Sequence, residues 1–231
     1  DRGKSMPSSA IRKLVPLADK AKEMGRHVYH LNIGQPDIHT PDTYWNAIKN
    51  HGRQVLEYGP SAGFTSYRKK LIEYYKRYNI LINLDDIIVT TAGSEAIIFT
   101  IMAITDPGDE IIVPEPFYTN YNGFAIESAA KIVTITSKIE DDFQLPPIDS
   151  IREKITDRTR AILICNPNNP TGQYWTTDQL TSLYDADPDH KALWVIDESY
   201  RHFVAGNDQI GQPVNLSAPN IIRLRSLTKD Y

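Results

Sequence analysis

Lys229 is the side chain with the most reactive chemistry in this sequence, and it follows an apolar run at residues 220–225. A buried strand ending there would take the amine out of water, and desolvation favours the neutral form of an amine. A neutral amine attacks an aldehyde and forms a Schiff base. The Ser-x-x-Lys spacing of Ser226 and Lys229 therefore predicts a Schiff-base lysine, although the same spacing is more often found in solvated surface residues.

A turn of small residues that includes Gly93 and Ser94 lies between two apolar stretches. Residues 85–91 predict a buried strand, and residues 97–104 predict an apolar helix. The N-terminus of a helix presents free backbone N–H groups and the positive end of the helix dipole. The order of strand, turn and helix therefore predicts a site for an anion, above all a phosphate, although many α/β turns of this composition bind nothing.

Four other residues with useful chemistry follow predicted strands. Tyr118 follows the strand predicted at 110–113. Asn169 follows the strand predicted at 160–165 and lies in a loop whose backbone is restricted by two prolines and a glycine. Asp197 and Tyr200 come directly after a fully apolar strand. Each residue taken alone is most often a turn or packing residue. Ligands of open α/β sheets bind at the carboxyl ends of the strands, so the joint order predicts one shared site.

This set of residues matches the requirements of pyridoxal phosphate. Lys229 would hold the aldehyde as an imine, and the small-residue turn would hold the phosphate. Asp197 beside the pyridine nitrogen would keep that nitrogen protonated, which makes the ring an electron sink. Tyr200 and Asn169 would donate to the phenolate oxygen, and the face of Tyr118 would stack on the ring.

Composition excludes several other classes of protein. A chain of 231 residues is long enough for one large α/β domain with a sizeable core. The 25 basic and 29 acidic residues give a net charge of -4 without a dense basic tract, so we expect no nucleic-acid partner. We also expect no membrane span, no signal peptide and no metal site. The single cysteine, Cys165, excludes an intrachain disulfide, occupies a strand-like run where buried packing is expected, and fits a cytoplasmic location.

Helical and strand-like patterns alternate through most of the chain. Helices are predicted at 11–24, 41–52, 66–78, 97–104 and 177–183, the last capped by Thr176 or Thr177, with a short helix within 143–155. Strands are predicted at 28–33, 85–91, 110–113, 131–135, 160–165, 192–196 and 220–225. This alternation indicates the α/β class.

The motifs, in this order, resemble those of the fold type I pyridoxal-phosphate enzymes, specifically the class I/II aminotransferases. They are Asn32-Ile33-Gly34-Gln35-Pro36-Asp37, Tyr58-Gly59-Pro60-Ser61-Ala62-Gly63, Ala92-Gly93-Ser94-Glu95-Ala96, Pro114-Glu115-Pro116-Phe117-Tyr118, Asn166-Pro167-Asn168-Asn169-Pro170-Thr171-Gly172, Asp197-Glu198-Ser199-Tyr200 and Ser226-Leu227-Thr228-Lys229. The asparagine-proline run followed by Asp-Glu-x-Tyr is highly specific, and the motifs span essentially the whole chain.

The resemblance implies a role for each site residue. Lys229 would form the internal aldimine and carry the proton between the substrate Cα and the cofactor C4′, with Asp197 and Tyr200 as the other catalytic residues. The implied cofactor-binding residues are Gly93, Ser94, Tyr118, Asn169, Asp197, Tyr200, Ser226, Lys229 and Tyr58. Tyr58 would reach the phosphate bound by a neighbouring subunit, which implies a homodimer with shared active sites. Gly34 and Asn169 would contact the substrate.

The resemblance also implies an architecture. The family's large domain is a three-layer α/β/α sandwich with a mostly parallel central sheet, expected here over residues 41–231. Residues 1–40 would form the N-terminal arm and the start of the small-domain region. The family's phosphate-binding arginine, and the C-terminal small domain with its carboxylate-binding arginine, would fall beyond Tyr231. Because the chain also lacks an initial Met, we expect a fragment.

Three functions remain open on these grounds. An aminotransferase would move an amino group between an amino acid and a 2-oxo acid by a ping-pong mechanism. A decarboxylase or lyase of the same fold would use the same cofactor to break a different bond. A truncated, non-catalytic relative would serve as an interaction or regulatory module. The substrate is also open, since residues 5–40 resemble aspartate or broad-specificity aminotransferases, whereas residues 225–231 resemble histidinol-phosphate aminotransferases and threonine-phosphate decarboxylases.

Overall fold

The structure of the chain is a computed structural model that describes residues 2–7, 12–32, 34, 38–187, 189, 191–204 and 218–229. The chain divides into two compact units. One unit comprises residues 8–61, and the other comprises residues 1–7 together with 62–231. This division does not test the predicted domain boundary at residue 40, which stays a prediction.

The described ranges contain the following regular elements. The helices are α1 Arg2–Ser5, α2 Val15–Glu23, α3 Asp42–Lys49, α4 Thr65–Lys76, α5 Gly93–Ile104, α6 Asn120–Glu127, α7 Ile148–Arg152 and α8 Thr177–Tyr184. Short 3-10 turns lie at Arg12–Leu14, Leu84–Asp86, Ile139–Asp141 and Arg201–Phe203. The strands are β1 Glu110–Glu115, β2 Lys131–Thr136, β3 Thr159–Cys165, β4 Leu193–Asp197 and β5 Ile221–Leu224.

The strands form one parallel sheet in the order β2-β1-β3-β4-β5. Side chains of β3 alternate between its two faces: Ala161 and Leu163 belong to one apolar cluster, and Ile162 and Ile164 belong to another. The first cluster includes residues of α5 and α6, and the second includes residues of α7 and α8. Both faces of the sheet are therefore covered by helices, as parallel sheets require. The predicted α/β/α arrangement with a parallel sheet is confirmed.

Local signals in the sequence account for several helix boundaries. At the start of α8, the Thr176 hydroxyl accepts from the Gln179 backbone N–H, and the Gln179 side chain accepts from the Thr176 N–H. This reciprocal pair is a capping box, and it confirms Thr176 as the N-cap. The helix then buries Leu180 and Leu183 completely.

Two predicted strands are wrong. Residues 28–32 and 87–90 have no strand structure, and Ile33 lies outside the described residues. Extended apolar chain becomes a strand only where a neighbour supplies a ladder of hydrogen bonds. In the second segment Val89 N–H donates to the Ala62 carbonyl, and Ile88 remains 72% exposed.

The helix predicted at 97–104 begins earlier, at Gly93. Its first turn, Gly93 to Ala96, consists of small residues and one glutamate and carries no apolar periodicity, so pattern reading misses it. The Glu95 carboxylate accepts the Thr91 N–H at 2.6 Å, which supports the chain reversal at the start of α5.

The unit of residues 8–61 contains α2 and α3, which confirm the existence of the two helices predicted there. The bounds differ: residues 12–14 form a 3-10 turn, residues 50–52 are not helical, and Ile11 lies outside the described residues. Helix α2 is followed by Gly25 at φ +75°, a conformation that glycine adopts without strain. Among the described residues of the whole chain, no helix is long and apolar enough to cross a membrane. The described residues also contain no group of three or more His, Cys, Asp or Glu side chains that could hold a metal ion.

Candidate active site

The site residues of the larger unit gather at the carboxyl edge of the sheet. Asp197 is the last residue of β4, where it pairs with Cys165 at the end of β3 and with Leu224 at the end of β5. The loop after β3 carries Asn169, and the segment after β5 carries Lys229. Because the strands are parallel, their carboxyl ends lie at one edge, where ligands of such sheets bind.

The Asp197 carboxylate is buried and held by three donors. Its Oδ2 accepts from the Tyr121 hydroxyl at 2.7 Å. Its Oδ1 accepts from the Ser199 backbone N–H at 3.0 Å and from the Ser199 hydroxyl at 2.6 Å. With only 4% of Asp197 exposed, these bonds hold the carboxylate in one orientation.

Two neighbours of this carboxylate are kept neutral by their surroundings. Burial, followed by the charge of Asp197, raises the pKa of Tyr121 well above its usual value. Burial, followed by the same charge, raises the pKa of Cys165 to about 12. Tyr121 is thus a permanent hydrogen-bond donor, and Cys165 is a buried thiol that donates to the Pro167 carbonyl at 3.2 Å. The expected packing role of Cys165 is confirmed.

Tyr200, Asn169 and Tyr118 surround the same edge. Asn169 Nδ2 donates to the Tyr200 hydroxyl at 3.3 Å. Burial is the main cause that raises the pKa of Tyr200, and the Asp197 carboxylate acts in the same direction. The Tyr118 ring packs edge-on against Tyr121, with 5.5 Å between centroids. A phenol and an amide therefore lie side by side near the buried carboxylate; their role as donors to the phenolate oxygen stays a prediction.

The start of α5 adjoins the segment after β5. A Cβ added at Gly93 would come within 3.4 Å of the Ser226 Cβ and 3.5 Å of the Ser199 hydroxyl. Glycine thus leaves open a small space that a side chain would fill. The first N–H groups of a helix have no intrahelical acceptor, and no side chain in the described part of the chain caps the start of α5. Gly93, Ser94 and Ser226 together offer donors suited to an anion.

Lys229 lies at this edge but is not buried. Its side chain is exposed within the described part of the chain, so the expected desolvation by a buried strand is absent. The Nζ atom lies 5.9 Å from the centroid of the Tyr200 ring, at the outer limit of a cation–π contact. The amine is therefore near the phenol that is paired with Asn169.

Gly34 and Tyr58 belong to the unit of residues 8–61. Tyr58 is fully exposed, and a Cβ at Gly34 would meet nothing within 4 Å. The neighbouring motif residues Ile33, Gln35, Pro36 and Asp37, and the final residues Asp230 and Tyr231, lie outside the described residues. The roles of Gly34 and Tyr58 stay predictions.

Sequence reasoning missed two donors to Asp197, Tyr121 and Ser199. Ser199 lies inside the Asp197–Tyr200 motif, where Tyr200 drew the attention, and Tyr121 lies three residues beyond the motif that ends at Tyr118. Tyr121 belongs to the first turn of α6, which begins at Asn120, whereas Tyr118 precedes that helix. No local signal pairs Tyr121 with Asp197.

The described residues fit pyridoxal phosphate by the chemistry of their donors and acceptors. A fixed, buried carboxylate suits the protonated ring nitrogen, and the Tyr200–Asn169 pair suits the phenolic oxygen. The open start of α5 suits the phosphate, and the amine of Lys229 suits the aldehyde.

Comparison with known proteins supports the same family. A sequence model described as aminotransferase class I and II matches residues 26–231. Aspartate aminotransferase of Pyrococcus horikoshii is 31% identical over 229 residues, which cover 96% of this chain and 56% of that protein. A probable aspartate/prephenate aminotransferase of Aquifex aeolicus is 33% identical over 206 residues, covering 87% of this chain and 52% of that protein.

Solved structures agree with these sequence matches. The alanine aminotransferase of Pyrococcus furiosus superposes with a TM-score of 0.88 at 35% identity, covering 99% of this chain and 59% of that one. The chain thus spans only about half the length of the relatives it matches. The predicted resemblance and the predicted cofactor are confirmed at the level of the family, whose members depend on pyridoxal phosphate. The match extends over nearly the whole chain, which therefore belongs to the class I and II aminotransferase family.

Proposed function

We propose that this protein is a pyridoxal-phosphate-dependent aminotransferase that moves an amino group between an amino acid and a 2-oxo acid. One observation carries the proposal: the buried Asp197 carboxylate, the Tyr200–Asn169 pair and the Lys229 amine occupy one edge of the sheet. Relatives named as aspartate and aspartate/prephenate aminotransferases support the reaction class.

Each side chain has a definite task in this reaction. The bound cofactor supplies an electron sink that stabilises negative charge at the substrate Cα. Asp197 would accept a hydrogen bond from the ring nitrogen and stabilise the positive charge there. Lys229 would take the proton from the substrate Cα and deliver it to C4′ of the cofactor, and would carry it back in the reverse direction. Lys229 is exposed within the described part of the chain. Its amine must be shielded from water when substrate binds, because excluding water strengthens the charge interactions of the reaction.

The remaining side chains hold and orient the cofactor and the substrate. Gly93 and Ser94 at the start of α5, with Ser226, would hold the phosphate. Tyr200 and Asn169 would donate to the phenolic oxygen. We assign Tyr118 to stacking on the ring, and Gly34 and Asn169 to the substrate, on the family's pattern.

The assembly and organisation of the protein follow from the same proposal. Tyr58, which is fully exposed, would reach the phosphate held by a second subunit, so we propose a homodimer with shared active sites. Residues 1–40 would belong to the arm and small-domain region, and residues 41–231 to the cofactor-binding domain. We propose a cytoplasmic location, supported by the single cysteine.

The experiment that tests the function compares the intact wild-type protein with Lys229→Ala. The wild type is expected to develop visible absorption with pyridoxal phosphate and to convert amino acids to 2-oxo acids, and the variant to lose the conversion. Lys131→Ala, an exposed lysine at the start of β2, is the matched control and should behave as the wild type.

Three outcomes would contradict the proposal in different ways. A Lys229→Ala variant that transfers amino groups at the wild-type rate would refute the lysine assignment. Release of CO₂ or ammonia without amino transfer would replace the aminotransferase by a decarboxylase or lyase. Failure of the intact protein to bind the cofactor would favour a non-catalytic relative.

A further inference from the structure

A buried cluster of charges lies at the carboxyl ends of β4 and β5. The Glu198 side chain is only 1% exposed, and each of its oxygens meets an arginine. Its Oε1 accepts from Arg223 Nη1 at 2.8 Å. Its Oε2 accepts from Arg225 Nε at 2.7 Å, and Arg225 Nη2 lies 2.6 Å from the same oxygen. The two arginine side chains are 13% and 10% exposed, so water screens these pairs poorly.

The cluster joins the two segments that carry the reactive residues. Glu198 follows Asp197 directly, and Arg225 precedes Ser226 directly. The Glu198 backbone N–H also donates to the Leu224 carbonyl at 2.9 Å, so main chain and side chain bridge the same two strand ends. Successive side chains along a strand point to opposite faces. The bridge thus lies on the side of the strands away from the Asp197 carboxylate.

Aromatic rings from helix α4 and from the turn that follows it cover the cluster. The Arg225 Cζ lies 4.7 Å from the Tyr75 ring centroid, and the Arg201 Cζ lies 4.1 Å from that of Tyr78. Arg201 is 2% exposed, and its two terminal nitrogens have no hydrogen-bond partner among the described residues. Arg201 joins the cluster through its backbone N–H, which donates to the Glu198 carbonyl at 3.2 Å. Removing the Glu198 charge would leave the guanidinium groups of Arg223 and Arg225 buried without the carboxylate that both of them contact.

The two arginines of β5 respond differently to this environment. Burial lowers the pKa of Arg223 in spite of the nearby Glu198 charge. Burial acts in the same direction on Arg225, but Glu198 and Tyr75 outweigh it and raise the pKa of that guanidinium. The Glu198–Arg225 contact, which involves two nitrogens of one guanidinium, is therefore the tighter of the two.

We propose that Glu198 and Arg225 are positioning residues for the reaction: their buried ion pair fixes the start of the Ser226–Lys229 segment against the end of β4 that carries Asp197. This inference rests on the proposed function. Neither residue touches the reacting atoms, and each acts through its neighbour in the chain. Buried ion pairs contribute little net stability compared with apolar packing, and fixing one geometry is their better-attested role. A small displacement of a reactive group costs about 10²-fold in rate.

The test uses the intact protein and two variants. Glu198→Gln keeps the shape and one acceptor oxygen but removes the charge, and Arg225→Lys keeps the charge but loses the forked contact. Two measurements are made: the dissociation constant for pyridoxal phosphate, and the pH midpoint of the visible absorption of the bound cofactor. Loss of a charge-assisted hydrogen bond corresponds to roughly 10- to 100-fold in an equilibrium constant. We expect both variants to bind the cofactor at least about tenfold more weakly, and the pH midpoint to shift in both.

A matched control separates positioning from general loss of stability. Arg160→Gln removes an ion pair with Asp109, 3.0 Å long, at the opposite end of the sheet near the starts of β1 and β3. It should change the melting temperature but neither the dissociation constant nor the pH midpoint. Because Arg225→Lys keeps the net charge, a shifted midpoint in that variant cannot arise from the loss of charge alone.

The outcomes decide the inference without ambiguity. If either Glu198→Gln or Arg225→Lys behaves as the Arg160→Gln control, the inference is overturned. If Glu198→Gln does not fold, Arg225→Lys alone decides by the same criterion. A wild-type protein that does not bind the cofactor would overturn the proposed function and this inference with it. A wild type that binds, with unchanged variants, overturns the inference alone.

Discussion

The Asp197 carboxylate takes its donors from two parts of the chain. Ser199 lies two residues away and donates from both its backbone and its hydroxyl, which orients Oδ1. Tyr121 comes from α6 and orients Oδ2. A carboxylate held at both oxygens presents a fixed direction to any ring nitrogen, and this preorganisation is where a protein influences such a cofactor.

Tyr121→Phe tests this arrangement at the scale of one oxygen atom. The variant keeps the ring in the core but leaves Oδ2 of a buried carboxylate without its donor, which costs about 1–3 kcal/mol of unfolding free energy. We expect urea denaturation to detect that loss and a cofactor titration to detect weaker binding. Tyr184→Phe is the control, because its hydroxyl donates to Asn220 at 2.6 Å near the start of β5. Equal cofactor affinity in Tyr121→Phe and the wild type would contradict the role given to this hydroxyl.

Helix α5 contributes to the site mainly through its first turn. Gly93 is buried, and the space a Cβ would occupy is bounded by Ser226 and Ser199 at ordinary van der Waals distance. The helix therefore tolerates a side chain at this position. A side chain there would, however, occupy the space that an anion between the helix start and Ser226 needs. Stability and binding thus make opposite demands on the same residue.

Gly93→Ala is expected to separate these two demands. Replacing glycine by alanine in a compatible helical position stabilises a protein by about 0.4–1 kcal/mol, so the melting temperature should not fall. Affinity for pyridoxal phosphate should fall, because the new methyl group occupies the proposed phosphate space. Gly123→Ala in α6 serves as the control, since its Cβ would meet only the flexible end of Met6, also at 3.4 Å. A Gly93→Ala protein with unchanged affinity would place the phosphate elsewhere.

The turn before α4 depends on a different glycine. Gly63 has φ +95°, and a Cβ there would lie 2.6 Å from the Val89 Cβ. Both strain and overlap therefore oppose any side chain, and we expect Gly63→Ala to lose roughly 2–4 kcal/mol of unfolding free energy. Gly172→Ala has a similar φ of +75° but open space around its Cβ, so it should lose only the strain, about 1 kcal/mol. If chemical denaturation gave the same loss of unfolding free energy for Gly63→Ala and Gly172→Ala, the overlap with Val89 would contribute nothing to the destabilisation.

At the scale of the whole molecule, the buried thiol makes stability depend on alkaline pH. The pKa of Cys165 rises from 9.0 to about 12 on folding. Above pH 9 the unfolded chain releases this proton while the folded chain keeps it, so the unfolded state binds fewer protons and stability falls as pH rises toward 12. One such group contributes a slope of at most about 1.4 kcal/mol per pH unit.

Cys165→Ala should flatten this slope. We expect urea denaturation between pH 8.5 and roughly pH 10 to give a smaller loss of stability for the variant than for the wild type, whatever their difference at pH 8. Tyr121 has a pKa raised well above its usual value and adds its own loss at higher pH, so the comparison is cleanest below that range. Parallel pH profiles for the two proteins would show that the thiol does not govern alkaline stability.

Much of the fold could be read from local patterns. Helix α8 carries its own capping signal, and β3 and β4 are continuous apolar runs between turn residues. The predicted strands at 28–33 and 85–91 failed because a strand is defined by its partner, and apolar composition does not say whether one exists. The edge of the sheet at which Asp197 and the loops carrying Asn169 and Lys229 lie could be predicted, because parallel strands bring all their carboxyl ends together.

The sequence by itself determined which reactive residues this protein has and the order in which strand ends deliver them, since motif spacing and periodicity act over a few neighbouring residues. Only the tertiary structure decided that Tyr121 orients Asp197 and that Glu198 is bridged to Arg223 and Arg225. These partners are far apart in the chain and meet because adjacent parallel strands and the helix packed on them align their ends. Such contacts depend on the register of the sheet, which no local stretch of sequence encodes.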